Sequence, residues 1–509
     1  MKNHLRIYLA WVLVITNLFY AEKWGLNTLI ITVVTIVLFG FKDRRIIIRN
    51  NDDQNIRNEN GTQWWLGAGV WLLASVGVFL NGSLFSEFIY LLTFFYFTSV
   101  QQQFKISVLL GLLQTFQSGA TGLIRFFEHL FYKENVDQTE RNKKWLRQGL
   151  LVAIPLIILI IFLKLYQIAD ADFYELTKFI NLDWISWGFV AIYILLVLTM
   201  YGIYFFKPQP GVQELEVSLK NEIKSDYKDT VQHFFGELNE KKLAIVLLAV
   251  LNSMLILYLV LDIKVLFSQT LPTQPDSFYS VSLHAGVNAL IVSIILVIIL
   301  ITYLFRGSLN FAQNKTVRLL AITWLIFNCI LVFTTAIKNY DYVSMQGLTY
   351  KRIGVYLYLF LCFLGLLFTV YKILRTLSVW FLARKMLMMF MIVFSAVSLF
   401  NWDQMITKFN LKNVKEQHLD LDYLFSLGPD AYPDLMDYHV KRKIDKTELF
   451  YNLTSAIITE VDLFEQEFNK YSWRSYVYND SKLHNKLTHY NIVYDNGNAE
   501  LPKQLVNKN

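Results

Sequence analysis

Long apolar runs broken by short polar connectors set the rhythm of this chain. A helix needs about 20 apolar residues to cross about 30 Å of hydrocarbon. Eleven stretches approach that length: residues 7–21, 24–41, 64–80, 84–100, 149–168, 184–206, 243–261, 285–305, 319–337, 353–371 and 386–402. The pattern predicts an all-α polytopic membrane protein with about 11 transmembrane helices. Residues 104–132 fit less well, because a stretch apolar enough for a further span carries Gln114, Gln117, Arg125, Glu128 and His129. That mixture predicts a helix lying in the inner interface or a re-entrant pair broken near Gly119 and Gly122.

The longer connectors carry patterns of their own. Residues 213–242 mix both charges and read as a solvated amphipathic helix, while the acidic stretch 170–183 places Phe173, Leu176, Phe179 and Ile180 at helical spacing, as a short surface helix would. From residue 403 the spans stop. Phe450, Leu453, Ile457, Val461, Phe464 and Phe468 repeat at three and four, which marks one amphipathic helix with Thr447 as its cap. S-Y-V-Y at 475–478 and N-I-V-Y at 491–494 alternate like short strands, the second beside the turn Asp495-Asn496-Gly497. The expected organisation is a four-span part (1–103), an interfacial or re-entrant segment with a basic loop (104–148), a seven-span core (149–402) and a small, mostly helical extramembrane region (403–509).

Composition agrees with a bilayer as solvent and partner. Hydrophobic residues make up 55% of the chain and charged ones 17%, whereas soluble domains run near 25% charged. With the N-terminus in the cytoplasm, 27 Lys and Arg fall in inside segments and six in the outside connectors, the asymmetry that sets orientation in a membrane. Eleven crossings then leave the C-terminal region outside, in the periplasm for a bacterial inner membrane. That region holds 13 basic and 16 acidic residues, which excludes a nucleic-acid-binding arm. Lys2 and Arg6 before an apolar stretch imitate a secretory signal, but no small-x-small cleavage pattern follows and a second run begins at Trp24, so 7–21 reads as a retained span. Cys329 and Cys362 both lie inside apolar runs and build no disulfide framework. Phosphate-binding glycine loops, H-E-x-x-H, paired C-x-x-C and G-x-S-x-G are all missing from the sequence, so it points to no ATP-driven transport, metalloprotease chemistry, cofactor or metal.

The densest polar chemistry near the spans lies at residues 338–352, K-N-Y-D-Y-V-S-M-Q-G-L-T-Y-K-R, read as the outer connector between the ninth and tenth spans. Gly347 permits a positive φ and Thr349 can cap the following helix, which places Lys351 and Arg352 in its first turn. A helix dipole disfavours cations there by about 0.3–1 kcal/mol. Something negative must compensate: Asp341, an anionic headgroup or a substrate. His284, where the eighth span begins, shares a helix face with Asn288. His284, Asn288, Lys338, Asp341, Thr349, Lys351 and Arg352 therefore form the candidate polar site. Mid-span Asn328 is expected to tie two helices together. Glu87, Lys164, Asp262, Lys264 and Arg384 lie near span ends, within reach of the interface, and Asp170, Asp172 and Glu175 read as solvated loop charge.

S-L-H-A-G-V-N-A-L at 282–290, F-R-G-S-L-N-F at 305–311, G-L-T-Y-K-R-I-G-V-Y at 347–356 and L-D-Y-L-F-S-L-G-P-D-A-Y-P-D-L in the tail together resemble a bacterial family of polytopic inner-membrane proteins, common in Bacteroidetes and known only as a domain of unknown function. The resemblance spans roughly residues 145–440 and implies a membrane protein without an assigned activity. It brings no catalytic residues with it. Function is therefore read from the residues alone: a transport-like or sensory envelope component with a polar site at the outer ends of spans eight to ten. The alternatives are a polytopic enzyme acting on lipid-linked or envelope substrates, with Asp341 or His284 as acid or base, and a scaffold that docks a membrane or envelope partner through residues 403–509.

Overall fold

The computed structural model describes residues 2–49, 54–103, 106–131, 170–177, 186–206, 210–223, 237–267, 276–305, 314–442, 448–487, 493–495 and 498–500, with scattered positions between 151 and 169. Within these lie α1 (Lys2–Phe19), α2 (Leu26–Arg49), α3 (Gln54–Asn81), α4 (Leu84–Gln102), α5 (Val108–Phe131), α6 (Ala171–Thr177), α7 (Trp187–Tyr204), α8 (Pro210–Ser218) and α9 (Glu237–Phe267). The chain continues through α10 (Asp276–Leu304), α11 (Lys315–Gln346), α12 (Tyr350–Arg375) and α13 (Val379–Val397). Beyond the last of these come α14 (Trp402–Asn413), α15 (Leu421–Ser426), α16 (Tyr432–Arg442), α17 (Glu448–Lys470), α18 (Tyr478–Leu487) and a hairpin of β1 (Val493–Asp495) with β2 (Asn498–Glu500).

Among the described residues six helices are long and apolar enough to cross a membrane, over Thr62–Asn81, Trp187–Tyr204, Asn239–Lys264, Lys315–Gln346, Tyr350–Arg375 and Val379–Val397. Shorter apolar helices cover His4–Phe19, Leu26–Gly40 and Val292–Leu304. The fourth expected span is the helix α4. The fifth, residues 149–168, and Lys164 within it fall largely outside the described residues.

Contacts divide the chain into two units, each discontinuous in sequence. The first combines residues 1–20 with 116–207. Its centre is Tyr8 of α1, fully buried, with the rings of Tyr204 at 5.2 Å, Phe205 at 5.5 Å and Tyr201 at 5.7 Å. The Tyr8 hydroxyl donates to the Val197 carbonyl of α7, so the ring's one polar atom is satisfied inside an aromatic cluster. Tyr20 accepts from the Ser186 hydroxyl at 2.6 Å at the other end of the same pair, which fixes α1 and α7 as antiparallel. The helix α5 is unbroken through Gly119 and Gly122, which removes the re-entrant pair of the two expected alternatives. Gly122 instead serves packing: a Cβ there would lie 2.8 Å from the Gly202 nitrogen and the Leu198 carbonyl. Two glycines face each other and the backbones cross at close range, as small residues allow in membrane helices.

The second unit combines residues 21–115 with 208–509, and two of its helices bury hydroxyls while exposing large apolar side chains. In α2, Thr28, Thr32 and Thr35 are buried at spacings of four and three while Val33, Val34 and Val37 are exposed. In α4, Ser86 and Thr93 are buried while Leu84 and Phe88 are exposed. Hydroxyls find carbonyls within the bundle, as Thr32 does at the Thr28 carbonyl (2.7 Å) and Thr93 at the Ile89 carbonyl (2.8 Å), and the large apolar side chains face what only lipid could cover. A core of Leu248, Ile294, Ile301, Leu325 and Leu366 joins α9, α10, α11 and α12. A buried amide links α9 to α11: Asn252 donates to its own helix at Leu248 (2.7 Å) and across to Leu320 (3.1 Å). Asn328, expected in that role, donates to the Trp324 carbonyl four residues back in its own helix at 2.8 Å, the local bond open to a short polar side chain on a helix.

Other expectations need correction. The connector 213–242 is not one solvated helix: α8 ends at Ser218, Glu222 bridges to Leu377, and the Ser378 amide donates to the Asn221 carbonyl at 2.8 Å. Glu216 is drawn in by Arg384, at 2.5 Å, and by the Ser107 hydroxyl, at 2.9 Å, so Arg384 is ion-paired. Asp170 is a helix cap, accepting from the Phe173 amide at 2.8 Å, which accounts for one of the acidic-loop charges. Residues 475–478 form no strand: Ser475 ends a 3-10 turn over 473–475 and Tyr478 opens α18, while β1 and β2 pair antiparallel as the second alternation predicts. The amphipathic helix is α17, and its expected cap Thr447 lies outside the described residues.

The two α5 glycines test the crossing. Gly122→Ala forces a methyl group into backbone and is expected to cost about 1–3 kcal/mol, the usual penalty of overpacking. Gly119→Ala, whose nearest neighbour is the Thr199 carbonyl at 4.0 Å, is expected to be near neutral. Thermal unfolding of the two variants in detergent separates them, and equal losses would contradict the packing.

Candidate functional site

The polar stretch 338–352 is mostly helix. At about 1.5 Å per residue a helix of this length runs about 48 Å, longer than the hydrocarbon needs, and α11 continues to Gln346. Its last turns keep a helical pattern: Asn339, Tyr342 and Val343 are buried, and Tyr340, Asp341 and Ser344 are exposed. Only Gly347, Leu348 and Thr349 leave the helix. Gly347 takes φ 82° and its amide still donates to the Val343 carbonyl at 2.9 Å, a helix stop that favours glycine. Thr349 then caps α12, its hydroxyl accepting from the Arg352 amide at 3.4 Å.

Arg352 is compensated by backbone rather than by a carboxylate. It donates from Nη1 to the Gln346 carbonyl at 2.7 Å and to the Gly347 carbonyl, and lies over the Tyr342 ring at 4.2 Å. These carbonyls belong to the C-terminal end of α11, the negative pole of its dipole. The cation misplaced at the start of α12 is thus correctly placed at the end of α11. Asp341, expected as the partner, is exposed and makes no ion pair among the described residues.

The three-residue break is clasped from the tail. Asn410 of α14 accepts from the Leu348 amide at 2.5 Å and donates to the Leu348 carbonyl at 2.8 Å, so one side-chain amide satisfies both backbone groups of one residue. The same amide fills the space where a Cβ on Gly347 would stand, 2.7 Å from Asn410 Oδ1. Tyr423 accepts from the Tyr350 amide at 3.0 Å, and the Tyr350 hydroxyl donates to Asp403 at 2.7 Å. Leu348 and Ile353 pack onto the tail core of Ile406, Leu424, Tyr432 and Leu435. A cavity of about 110 Å³ remains beside the clasp, lined by Thr349, Arg352, Asn410, His418, Asp420 and Tyr423 among others.

Two more turns meet the tail at the same end of their helices. Glu22 accepts from the Ser472 amide (3.1 Å), the hydroxyls of Ser472 (2.7 Å) and Ser475 (2.6 Å), and Arg474 (2.6 Å). Burial raises its carboxyl pKa, but these hydrogen bonds and the Arg474 charge outweigh that and hold it below its ordinary value. The Leu26 amide donates to the Tyr476 carbonyl at 2.9 Å. Asn81 donates to the Ser398 carbonyl at 2.6 Å and accepts from Asn479 at 2.7 Å. Within the tail, burial pushes the carboxyls of Asp403, Asp430 and Asp434 upward, and pushes Asp480 up to about 6 against the opposing charge of Lys23, with Asp430 and Glu467 adding to the rise.

The expected site is therefore only partly assembled. Thr349 and Arg352 join the tail at the clasp. Lys338 pairs elsewhere, with buried Asp262 of α9, a charge pair that offsets the cost of ionised groups at this depth. Lys351 and Asp341 are exposed. His284 and Asn288 lie on α10, with their side chains outside the described residues. Sequence reasoning missed Asn410, Tyr423 and Glu22, all ordinary polar residues whose importance arises from distant backbone. It also missed Lys372, fully buried and donating to the Phe305 carbonyl at 3.1 Å.

A family model described as a domain of unknown function, DUF4153, matches residues 9–438. The chain belongs to the DUF4153 family. The match begins well before the stretch on which the resemblance rested and takes in both halves of the clasp, Gly347 and Asn410, while the partners of Glu22 at 472–475 lie beyond it. No curated protein and no solved structure matches this DUF4153 chain.

Asn410→Ala strips both hydrogen bonds from Leu348 and is expected to cost about 1–3 kcal/mol, read as earlier proteolysis of the tail. Asn410→Asp keeps the acceptor but loses the donor and is expected to lie between the two. Tail stability also carries a pH signature. For Asp480 the folded state binds its proton more readily than the unfolded state between the ordinary value of 3.8 and about 6. Its destabilising contribution is thus full above about 6 and fades as pH falls toward 3.8. Glu22, shifted down, acts oppositely: its stabilisation is lost as pH falls through its folded value. Asp480→Asn is expected to raise the tail's melting temperature by a few degrees at pH 7.5 and to change it little at pH 4, checked by melting curves at both.

Proposed function

We propose that this DUF4153 chain is a sensory component of a bacterial inner membrane, with its N-terminus in the cytoplasm and residues 403–509 outside. In this reading the tail senses, and the clasp on Gly347–Leu348–Thr349 passes its state to α11 and α12. The observation that carries the proposal is the double hydrogen bond of Asn410 to Leu348: the junction between two long membrane helices is held by a side chain of the extramembrane region. Two cavities of the tail lie on its contacts with helix-joining turns, where an occupant would alter those contacts. The Lys and Arg asymmetry supports the orientation. The Lys338–Asp262 pair inside the membrane half favours a transport-like role as a second reading, since intramembrane charges often mark ion pathways.

Native cysteines provide the test. Cys329 of α11 is half-buried and Cys362 of α12 is buried, both about mid-span and far along the helices from the clasp. If the clasp communicates, Asn410→Ala is expected to raise the rate at which a membrane-permeant maleimide alkylates Cys362 by severalfold in intact membranes, with Cys329 as internal comparison. Release of the tail to protease with both rates unchanged would show that the junction is held but transmits nothing. The transport reading makes a separate demand, that Asp262→Asn combined with Lys338→Met abolish an ion flux measurable in proteoliposomes.

A further inference from the structure

The larger cavity of the tail, about 260 Å³, lies between α17, the turn 471–477, α18 and the turn that joins α1 to α2. Its volume sits just below the usual range of small-molecule sites, about 300–1,000 Å³. Aromatic rings form much of its wall, among them Phe468, Trp473 and Tyr476, and Trp473 is largely exposed although it stands in a folded turn. The charged groups of the wall are two carboxylates and one ammonium: Lys23 Nζ is 3.3 Å from Glu467 and 4.0 Å from Asp480. Lys23 is therefore shared, and its longer contact leaves Asp480 the less compensated of the two. One excess negative charge among aromatic faces is the chemistry that recognises an ammonium, through ion pairing on one side and ring quadrupoles on the other.

We infer that this cavity is a binding site for a small organic ammonium ion carrying an apolar body, held by Asp480 and Glu467 against Trp473 and Tyr476. The cavity fills whether or not the tail signals to the spans. Lys23 acts as a resident competitor for the carboxylates, a tethered cation that an incoming one displaces. The groups facing Asp480 are Lys23 from the α1–α2 turn, Glu467 from α17 and Asp430 from the 3-10 turn before α16. Protonation of Asp480 in that setting removes the excess charge, so affinity falls as pH drops through about 6. The ammonium group has two sources at this position, a free amine or the headgroup of phosphatidylethanolamine.

Full-length protein in nanodiscs of phosphatidylglycerol, titrated calorimetrically with phenethylammonium and with neutral 3-phenylpropan-1-ol, tests the site. The ammonium is expected to bind at least tenfold more tightly than the alcohol. Asp480→Asn is expected to weaken it about tenfold, and Lys23→Met to tighten it severalfold, a gain that loss of a merely structural ion pair would not produce. Repeating the titration in discs containing phosphatidylethanolamine assigns the source: a weaker apparent affinity marks the headgroup as occupant, and an unchanged one marks a free amine. Equal binding of ammonium and alcohol, or an ammonium affinity indifferent to Asp480→Asn, overturns the inference. Should Asp480→Asn disturb folding, Glu467→Gln at a more exposed position carries the same expectation with an effect of a few fold.

Discussion

Two long membrane helices cannot be joined without leaving backbone unpaired, and at Gly347–Leu348–Thr349 that constraint shapes much else. The last carbonyls of α11 and the first amides of α12 have no partners in their own helices. Arg352 takes the carbonyls, Thr349 and Tyr423 take amides, and Asn410 takes both groups of Leu348. Every one of those solutions is specific to the local geometry: the arginine sits at the end of one helix and the start of the next, and the amide fits only because Gly347 has no side chain. The tail's position follows from this need as much as from its own core.

The second governing fact is the burial of hydroxyls in α2 and α4. Thr28, Thr32, Thr35, Ser86 and Thr93 face inward while Val33, Val34, Val37, Leu84 and Phe88 face outward. In water such helices would turn over; in lipid, apolar side chains gain nothing by meeting each other and close packing of small residues decides the interfaces. The crossing of Gly122 with Gly202 and the amide of Asn252 are two forms of the same solution. Buried charge follows the rule in its stricter form, with Lys338 on Asp262, Arg384 on Glu216 and Lys372 on a helix-end carbonyl.

Span positions are legible because little besides a lipid-crossing helix calls for about 20 apolar residues in a row, and the amphipathic α17 and the small hairpin are legible from periodicity. The importance of residues 347–352 is visible too, since a glycine, a capping threonine and a misplaced arginine in sequence conflict with simple helix rules. What the arginine answers to is not visible. A backbone carbonyl five residues earlier has no signature in composition, so Asp341 is the natural partner to expect. The length of α11 misleads for a related reason: polar residues read as loop, although a helix that outruns the bilayer needs polar residues on its exposed turns. Glu22 and Asn410 are illegible in principle, because each acts on backbone hundreds or tens of residues away, and an isolated Glu in a turn or Asn in a helix looks like any other.

The tail's contacts are spread widely along the chain: Glu22 and Leu26, Asn81, and Leu348. Synthesis proceeds from the N-terminus, so the turns holding the first three residues are made hundreds of residues before 472–479, the segment that covers them. Until then Glu22 and the Leu26 amide lack the partners that 472–476 supply, and Asn81 has only the Ser398 carbonyl of its two. Biogenesis thus has a defined last act, in which a single late-made segment seals turns laid down at the beginning. A chain halted before that point would hold its helices in the bilayer with those early turns left open.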